Sequence, residues 1–284
     1  MPRKLPLIFA AAALAGWLSP TLAPGAVPER ARLDLAGQWR FALDRASELR
    51  QPADGIRGGP ASSLPPGDGI AQQWFNRVLT NRILLPGILQ AQGYGDDISV
   101  DTPWVLTLGD AWWKLQPAAL REHFSQPGHV EVPFLSQPPK HYLGAAWYQR
   151  DFQIPAAWQG RRFQLFLERP HWQTAVWVDG QSFPPNDSLV APHVTDLGLL
   201  RPGRHVLTIR IDNRTQLPAL GHLVDGHSVS DALGATWNGV AGRIELIATA
   251  PVWIEDAQAF PDVTNKSALI KIRIGNATGQ PGSG

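Results

Sequence analysis

The sequence predicts an all-β fold, built as an antiparallel sandwich. Short runs of β-branched and aromatic residues recur along the chain without amphipathic helices between them, which favours antiparallel sheets over βαβ units. The 27 glycines and 26 prolines punctuate these runs as turn residues do. The chain also holds 12 tryptophans and no cysteine. Hydrophobic residues make up 44% of the sequence, enough to fill a globular core.

Composition and motif content exclude several classes of function. Without cysteine there can be no disulfide scaffold, thiolate metal centre or cysteine nucleophile. The net charge of +1 is too close to zero for a nucleic-acid-binding surface. The sequence contains no HExxH motif, glycine-rich phosphate loop or nucleophile elbow, and its eight histidines are scattered. We therefore expect no metal, no cofactor and no nucleic-acid partner.

The first 26 residues have the layout of a secretory signal peptide. Arg3 and Lys4 precede an apolar run over residues 5–18, and small residues follow as far as Ala26. The apolar run is shorter than the roughly 20 residues that a membrane-spanning helix needs. An uncleaved membrane anchor is the alternative. We expect an exported protein, periplasmic or extracellular, with no membrane span once the signal is removed.

The next part of the chain alternates strand patterns with irregular segments. Strand patterns cover residues 33–41 and 81–86, the second ending at Pro86-Gly87. Residues 51–70 are rich in Gly, Pro and Ser and predict a loop. Residues 94–139 show little periodicity but carry many aromatic side chains, which predicts a segment that wraps a surface.

The middle of the chain alternates clearly. Strands are predicted over residues 147–154, 163–167, 175–178, 205–212 and 243–248. Asp179-Gly180 follows the third of these directly and is the strongest hairpin signal in the sequence. Trp177, inside that alternating strand, is predicted to be a core residue.

The end of the chain carries two further strand patterns, over residues 252–257 and 268–274. Two strands are marginal in water and cannot enclose a core. They either complete the first sandwich or open a second β domain, and regular alternation after a finished sheet favours the second domain. We therefore expect a signal peptide (1–26), a sandwich domain (27–250) and the start of a second β domain (251–284).

An ordered series of short motifs runs through the predicted sandwich. It comprises GAAWYQR from Gly144, FLER from Phe166, WVDG from Trp177, PHVTDL from Pro192, RPG from Arg201, IDN from Ile211 and WNGVAGRIEL from Trp237. In this order and spacing the series resembles the N-terminal sugar-binding domain of glycoside hydrolase family 2, the β-galactosidase, β-glucuronidase and β-mannosidase group. The resemblance covers residues 33–248. It implies a galactose-binding-like jelly-roll sandwich, followed by the first strands of a truncated immunoglobulin-like domain.

The resemblance implies a function in hydrolysing O-glycosyl bonds of carbohydrates, β-galactosidase-like in character. In that family both catalytic glutamates lie on a (β/α)₈ barrel, which needs about 250 residues. No such segment is part of this sequence, so we assign no catalytic residue and expect the chain alone to be inactive. Its expected partners are a terminal β-linked sugar and the barrel domain. A free-standing secreted carbohydrate-binding module is the alternative, and a purely structural scaffold is a third possibility.

Four residues are candidates for binding sugar. The resemblance places Asp101 where the family has an Asn before a proline–aromatic step, which keeps an oxygen acceptor but loses the amide donor. Arg243 stands at the position where the family has an Asp that follows an Arg. It either pairs with a carboxylate of the substrate or of a domain interface, or it caps the strand. Trp104 and Trp237 either offer a flat apolar face to sugar C–H groups or pack as core. The His171-Trp172 pair is predicted in an exposed loop before a strand.

Overall fold

A computed structural model describes residues 30–48, 67–99, 102, 115–126, 138–214 and 236–282. The predicted signal peptide and the candidate residues Asp101 and Trp104 lie outside these described residues. Within them, no helix has the length and apolar character needed to cross a membrane.

Two antiparallel sheets form the sandwich, as the sequence predicts. The first sheet contains, from one edge to the other, β1 (Ala31–Asp34), β11 (Gly239–Thr249), β6 (Arg162–His171) and β9 (His193–Leu199), with β4 (Gly87–Ile88) also paired to β11. The second sheet contains, in spatial order, β3 (Asn81–Leu85), β2 (Gly37–Asp44), β5 (Ala145–Ile154), β10 (Gly203–Asp212), β7 (Gln173–Val178) and β8 (Gln181–Asn186). Two short helices, α1 (Asp68–Ala71) and α2 (Ala118–His123), lie within segments that the sequence predicts to be irregular.

The main core lies between the two sheets and follows the predicted alternation. On β5, Tyr148, Phe152 and Ile154 are buried, and on β6 the buried set is Phe163, Leu165 and Leu167. These side chains belong to one apolar cluster that also includes alternate residues of β2, β10 and β11. Period-two alternation places them on a single face of each strand, which is why sequence alone could assign them.

A second apolar cluster covers the outer face of the second sheet. Trp147 and Trp177 are buried there with Leu79. The segment from α1 to Phe75 lies over them. It is held by the buried carboxylate of Asp44, which accepts hydrogen bonds from the backbone nitrogens of Asp68 (2.8 Å) and Gly69 (3.0 Å). Trp177 is therefore a core residue, as predicted.

The Asp179-Gly180 hairpin forms where the sequence predicts it. The turn joins β7 to β8, with φ of +51° at Asp179 and +82° at Gly180. Two successive residues in the left-handed region define a type I′ turn, whose twist matches that of antiparallel strands. Asp179 Oδ1 also accepts a hydrogen bond from the backbone nitrogen of Val206 (2.7 Å), which ties the turn to β10.

The last two strands, β12 (Val252–Asp262) and β13 (Ser267–Asn276), form a hairpin of their own. Within the described residues they pair with each other and extend neither sheet of the sandwich. One face of this terminal hairpin is apolar and exposed, with Ile254, Ile270, Ile272 and Ile274 all more than half accessible. The hairpin touches the sandwich where the guanidinium of Arg162 lies 3.6 Å from the ring centroid of Trp253.

Candidate functional site

One end of the sandwich brings together Trp237 and the His171-Trp172 pair, three of the residues that the sequence singles out. In the first sheet Gly239 is paired with His171, and in the second sheet Asp212 is paired with Ala145. The backbone nitrogen of Trp172 donates to the carbonyl of Asp212 (3.3 Å), so these strand ends of the two sheets lie together. We call this the candidate end. Trp237 lies two residues before the first residue of β11 and stacks on His171, so it is at this end.

Aromatic rings stack at the candidate end. The rings of His171 and Trp237 are 4.9 Å apart, with planes inclined by 27°. His171 and Trp172 are buried, and Trp172 Nε1 donates to the carbonyl of Asp187 (2.7 Å). The prediction of an exposed His171-Trp172 pair is thus wrong, because Asp187 and Trp237 arrive from distant parts of the chain to cover it. Trp237 is half-buried and keeps part of its ring accessible.

His171 supports Trp237 as a neutral ring. Burial lowers the pKa of His171 to about 4, so the imidazole is uncharged near neutral pH. Its Nε2 lies 3.2 Å from the hydroxyl of Thr236, the residue before Trp237. A neutral, hydrogen-bonded imidazole against one face of an indole leaves that indole fixed, with its accessible part available to a ligand.

Asn238 fixes the backbone that carries Trp237. It is fully buried, and its Oδ1 accepts from the hydroxyl of Tyr148 (2.7 Å). Its Nδ2 donates to the carbonyls of Gly144 (3.1 Å) and Ile211 (3.0 Å). The backbone nitrogen of Asn238 donates to Gln90 Oε1 (3.1 Å). Sequence reasoning missed this residue; the available signal was a polar amide directly after a tryptophan at the start of a strand.

A buried ion cluster also lies at the candidate end. Asp212 accepts from Arg214 through both carboxylate oxygens (2.8 and 2.6 Å) and from Arg210 (2.8 Å). Burial by itself would raise the pKa of Asp212, but hydrogen bonds from Arg214 and the charges of both arginines lower it. The carboxylate is therefore ionised and fully engaged, which makes it unsuitable as a general acid or base. Sequence reasoning missed this cluster, whose signal was charges at alternate positions, 210, 212 and 214.

Two carboxylates approach each other beside this cluster. Arg45 Nη1 donates both to Glu48 (2.9 Å) and to Asp96 (2.9 Å). Burial raises the pKa of Glu48, and the neighbouring Asp96 raises it further, while Arg45 opposes both effects. The arginine occupies the position between the two acids, so the arrangement is an ion pair that ties residue 48 to residue 96. No group of three or more His, Asp or Glu side chains suited to a metal ion occurs among the residues that the structure describes.

Arg243 lies away from the candidate end. Its backbone nitrogen and its Nε both donate to Glu168 Oε2 (3.0 Å each), and its guanidinium lies 5.0 Å from the ring centroid of Phe166. The side chain is exposed on the outer face of the first sheet. At about 3.3 Å per residue, roughly 15 to 20 Å of strand separate it from Trp237. The structure thus pairs Arg243 with a carboxylate of the neighbouring strand and does not bring it to Trp237.

The fold is a β-sandwich of the type found in glycoside hydrolase family 2, and the resemblance predicted from the sequence is confirmed by its relatives. A β-glucuronidase from Paenibacillus borealis is 22% identical over 251 residues, which are 84% of this chain and 32% of that protein. A β-glucuronidase structure from an uncultured Clostridium species superposes with a TM-score of 0.51 at 17% identity, covering 89% of this chain and 35% of the other. The structure of the Ruminococcus gnavus β-glucuronidase superposes on 91% of this chain and 35% of its own chain, at 14% identity and with a TM-score of 0.47. No protein-family model matches the chain.

These relatives define the part of a protein that the chain corresponds to. The chain spans about a third of the length of the Paenibacillus protein and of the Clostridium protein. It is thus similar to a portion of a glycoside hydrolase.

Proposed function

We propose that the chain is the N-terminal, sugar-binding portion of an exported glycoside hydrolase of family 2. The observation that carries the proposal is the similarity over 84% of this chain to 32% of a β-glucuronidase. A stretch of that size, folded as a sandwich, leaves room in the whole protein for a larger catalytic domain against which it packs. The relatives are β-glucuronidases, so among terminal β-linked sugars we favour glucuronides over galactosides.

Within this proposal the candidate end supplies part of a sugar subsite. Sugars have apolar C–H faces as well as hydroxyl edges, and aromatic rings pack against the former. Trp237 offers an accessible ring held by His171 on one face and by the backbone of Asn238 below it. The chain's residues would bind and orient a terminal sugar. Cleavage with retention would require two carboxylates about 5–5.5 Å apart on the barrel.

Export and a second domain complete the proposal. The signal-like residues 1–26 direct the protein to the periplasm or the outside of the cell, and N-terminal sequencing of the mature protein would locate the cleavage point. The terminal hairpin begins an immunoglobulin-like domain, whose further strands would cover the isoleucines exposed on β12 and β13. The sandwich would then occupy residues 27–250 and the second domain would start at 251.

The sugar-binding role is tested by saturation-transfer NMR with methyl β-D-glucuronide and methyl β-D-galactoside. The chain alone should bind weakly, with a Kd of about 1 mM, because a single aromatic subsite supplies only roughly 4 kcal/mol. Trp237→Ala should remove the signals. Trp158→Ala is the matched control, since Trp158 is also half-buried but packs on Phe163, in the main core. Binding unaffected by Trp237→Ala would refute this site, and no binding of either glycoside would favour the structural scaffold.

The DNA sequence downstream of codon 284 distinguishes the hydrolase from the alternative, a free-standing carbohydrate-binding module. A reading frame that continues for several hundred codons beyond codon 284 and encodes a barrel would support the hydrolase. A stop codon followed by unrelated sequence would support the free-standing module.

A further inference from the structure

A patch of aromatic and amide side chains lies on the outer face of the second sheet. It consists of Gln72, Gln73, Trp74, Phe75 and Asn76, which follow α1 along the chain. We call it the outer patch. Its rings are seated on the second apolar cluster: Phe75 lies parallel to Trp177 at 5.1 Å, and Trp74 lies 6.1 Å from Trp147. Both rings are half-buried, so each is supported from beneath and partly accessible from above.

The support beneath the outer patch is rigid. Trp147 and Trp177 are themselves stacked at 5.1 Å, and Trp147 Nε1 donates to Asp44 (3.1 Å). Gly69 lies so close to Trp147 that an added Cβ would clash with the indole. The segment that carries the patch is tied to the sheet by the bonds from its backbone nitrogens at Asp68 and Gly69 to Asp44.

The three amides of the outer patch are exposed and already oriented. Gln72 Oε1 accepts from Trp74 Nε1 (3.2 Å), and Gln73 Oε1 accepts from Asn76 Nδ2 (3.3 Å). These bonds use the acceptors of both glutamines. In the described part of the chain, the NH₂ groups of Gln72 and Gln73 donate to no protein atom, so they remain available to an external acceptor. The amides would not need to lose much further freedom on binding.

The chemistry of the outer patch matches a neutral sugar chain. Accessible rings suit the C–H faces of pyranoses, and oriented amides suit their hydroxyls. Residues 69–76 include no charged side chain, and the flanking charges, Asp68 and Arg77, are of opposite sign, so the patch offers no net counter-charge to an anionic or cationic partner. We propose that the outer patch is a second carbohydrate-binding surface, which holds a neutral polysaccharide while the candidate end engages a terminal sugar. The proposal does not depend on the role of Trp237.

The test is affinity electrophoresis of the whole chain in native gels that contain soluble neutral galactan, with polygalacturonate gels as the charged comparison. Galactan should retard the wild type, and polygalacturonate should not. Trp74→Ala should weaken the retardation at least tenfold in apparent Kd, and Gln73→Ala about threefold. Val78→Ala is the matched control, because Val78 is 74% exposed just beyond the patch. Thermal melting of each variant would show that the fold is retained, and a Gln72→Ala, Gln73→Ala double variant, at two exposed positions, would substitute if Trp74→Ala unfolds.

Three results would overturn the proposal. One is the absence of retardation by galactan, and another is retardation that Trp74→Ala leaves unchanged. The third is a sedimentation velocity run in which Trp74→Ala converts a dimer into a monomer, since the patch would then bind a second copy of the chain. Methyl glycoside binding at the candidate end, measured by NMR, should persist in Trp74→Ala. That readout keeps failure of the outer patch distinguishable from failure of the proposed function.

Discussion

Buried polar side chains at the candidate end hold the two sheets together as well as holding Trp237. Asn238 bonds the hydroxyl of Tyr148 and two carbonyls that belong to different parts of the second sheet. A buried group that loses its partner costs about 1–3 kcal/mol, far more than the net gain from one ordinary hydrogen bond. Truncating a residue of this kind therefore costs about as much as truncating a buried leucine, roughly 2–5 kcal/mol.

Asn238→Ala should lower the free energy of unfolding by about 3 kcal/mol, because it leaves the Tyr148 hydroxyl and the Gly144 and Ile211 carbonyls without their partner. Urea denaturation of the chain measures the change. Gln153→Ala, at an exposed position on β5, is the control and should stay within about 0.5 kcal/mol of wild type. A loss below 1 kcal/mol for Asn238→Ala would show that water replaces the amide.

Arg150 is the converse case, a charged residue that the fold accommodates poorly. It projects from the inner face of β5 toward Trp39, with its guanidinium 5.9 Å from the ring centroid. Its Nη1 is buried and has no hydrogen-bond partner within the described residues. Arg150→Met keeps the length of the side chain and removes the unsatisfied donor, so it should raise the free energy of unfolding by about 1 kcal/mol. Arg150→Lys retains a charge and should show no gain; destabilisation by Arg150→Met would mean that the contact with Trp39 outweighs the unpaired donor.

At the scale of elements, the contact described between the terminal hairpin and the sandwich is that of Trp253 with Arg162. Arg162 is buried, binds Asp196 (2.9 Å) and lies over the ring of Trp253, which is also close to Gly275. The rest of the hairpin exposes its apolar face. Such a contact is worth about 1–2 kcal/mol when desolvated.

Deleting residues 251–284 should therefore lower the free energy of unfolding by no more than about 2 kcal/mol, and should improve solubility because exposed isoleucines on an unpaired edge promote association. Thermal melting and light scattering measure the two effects. Trp253→Ala in the whole chain should reproduce the same small loss of stability. A loss of several kcal/mol on deletion, not reproduced by Trp253→Ala, would make the hairpin an integral part of the sandwich.

The elements also show which parts of the fold a sequence can predict. Strands β5, β6, β7 and β10 follow a period of two that places Tyr148 and Phe163 inside without any knowledge of their neighbours. The segment that covers Trp147, which begins at α1, could not be predicted in that way. Its position depends on a hydrogen bond from the backbone nitrogen of Gly69 to Asp44, across a stretch without periodicity. The prediction that His171 is exposed failed for the same reason. Trp237, which covers His171, is distant in sequence and adjacent to it only in the folded chain.

For the molecule as a whole, the buried histidines make stability depend on pH. His141 and His171 each have a pKa near 4, lowered chiefly by burial, although the charge of Asp96 partly offsets the effect at His141. An unfolded chain protonates these rings below pH 6.5, whereas the folded chain resists protonation until about pH 4. The unfolded state thus gains protons first. Stability should fall as the pH drops through this window.

Glu48 acts in the opposite direction. Its folded pKa is raised by burial and by Asp96, so the folded state takes up its proton before the unfolded state does. That difference adds stability at low pH, and the added stability is lost as the pH rises through the folded pKa of Glu48. Burial also lowers the pKa of His193, so three histidines act against this one carboxyl, and we expect a net loss of stability in acid.

Between pH 7 and pH 4 the free energy of unfolding should therefore decrease, by up to roughly 3 kcal/mol for each buried histidine at the acid end. Urea denaturation at intervals of half a pH unit measures the curve. His171→Phe removes one titrating ring and keeps an aromatic face against Trp237, so it should reduce the slope while His141 and His193 maintain the rest, whatever its effect on stability at pH 7. Asn238→Ala is the matched control: it should lower the whole curve without changing its slope, because the amide does not titrate. A slope that His171→Phe leaves intact would mean that folding does not lower the pKa of His171, and the ring would then become protonated below about pH 6.5 beside Trp237.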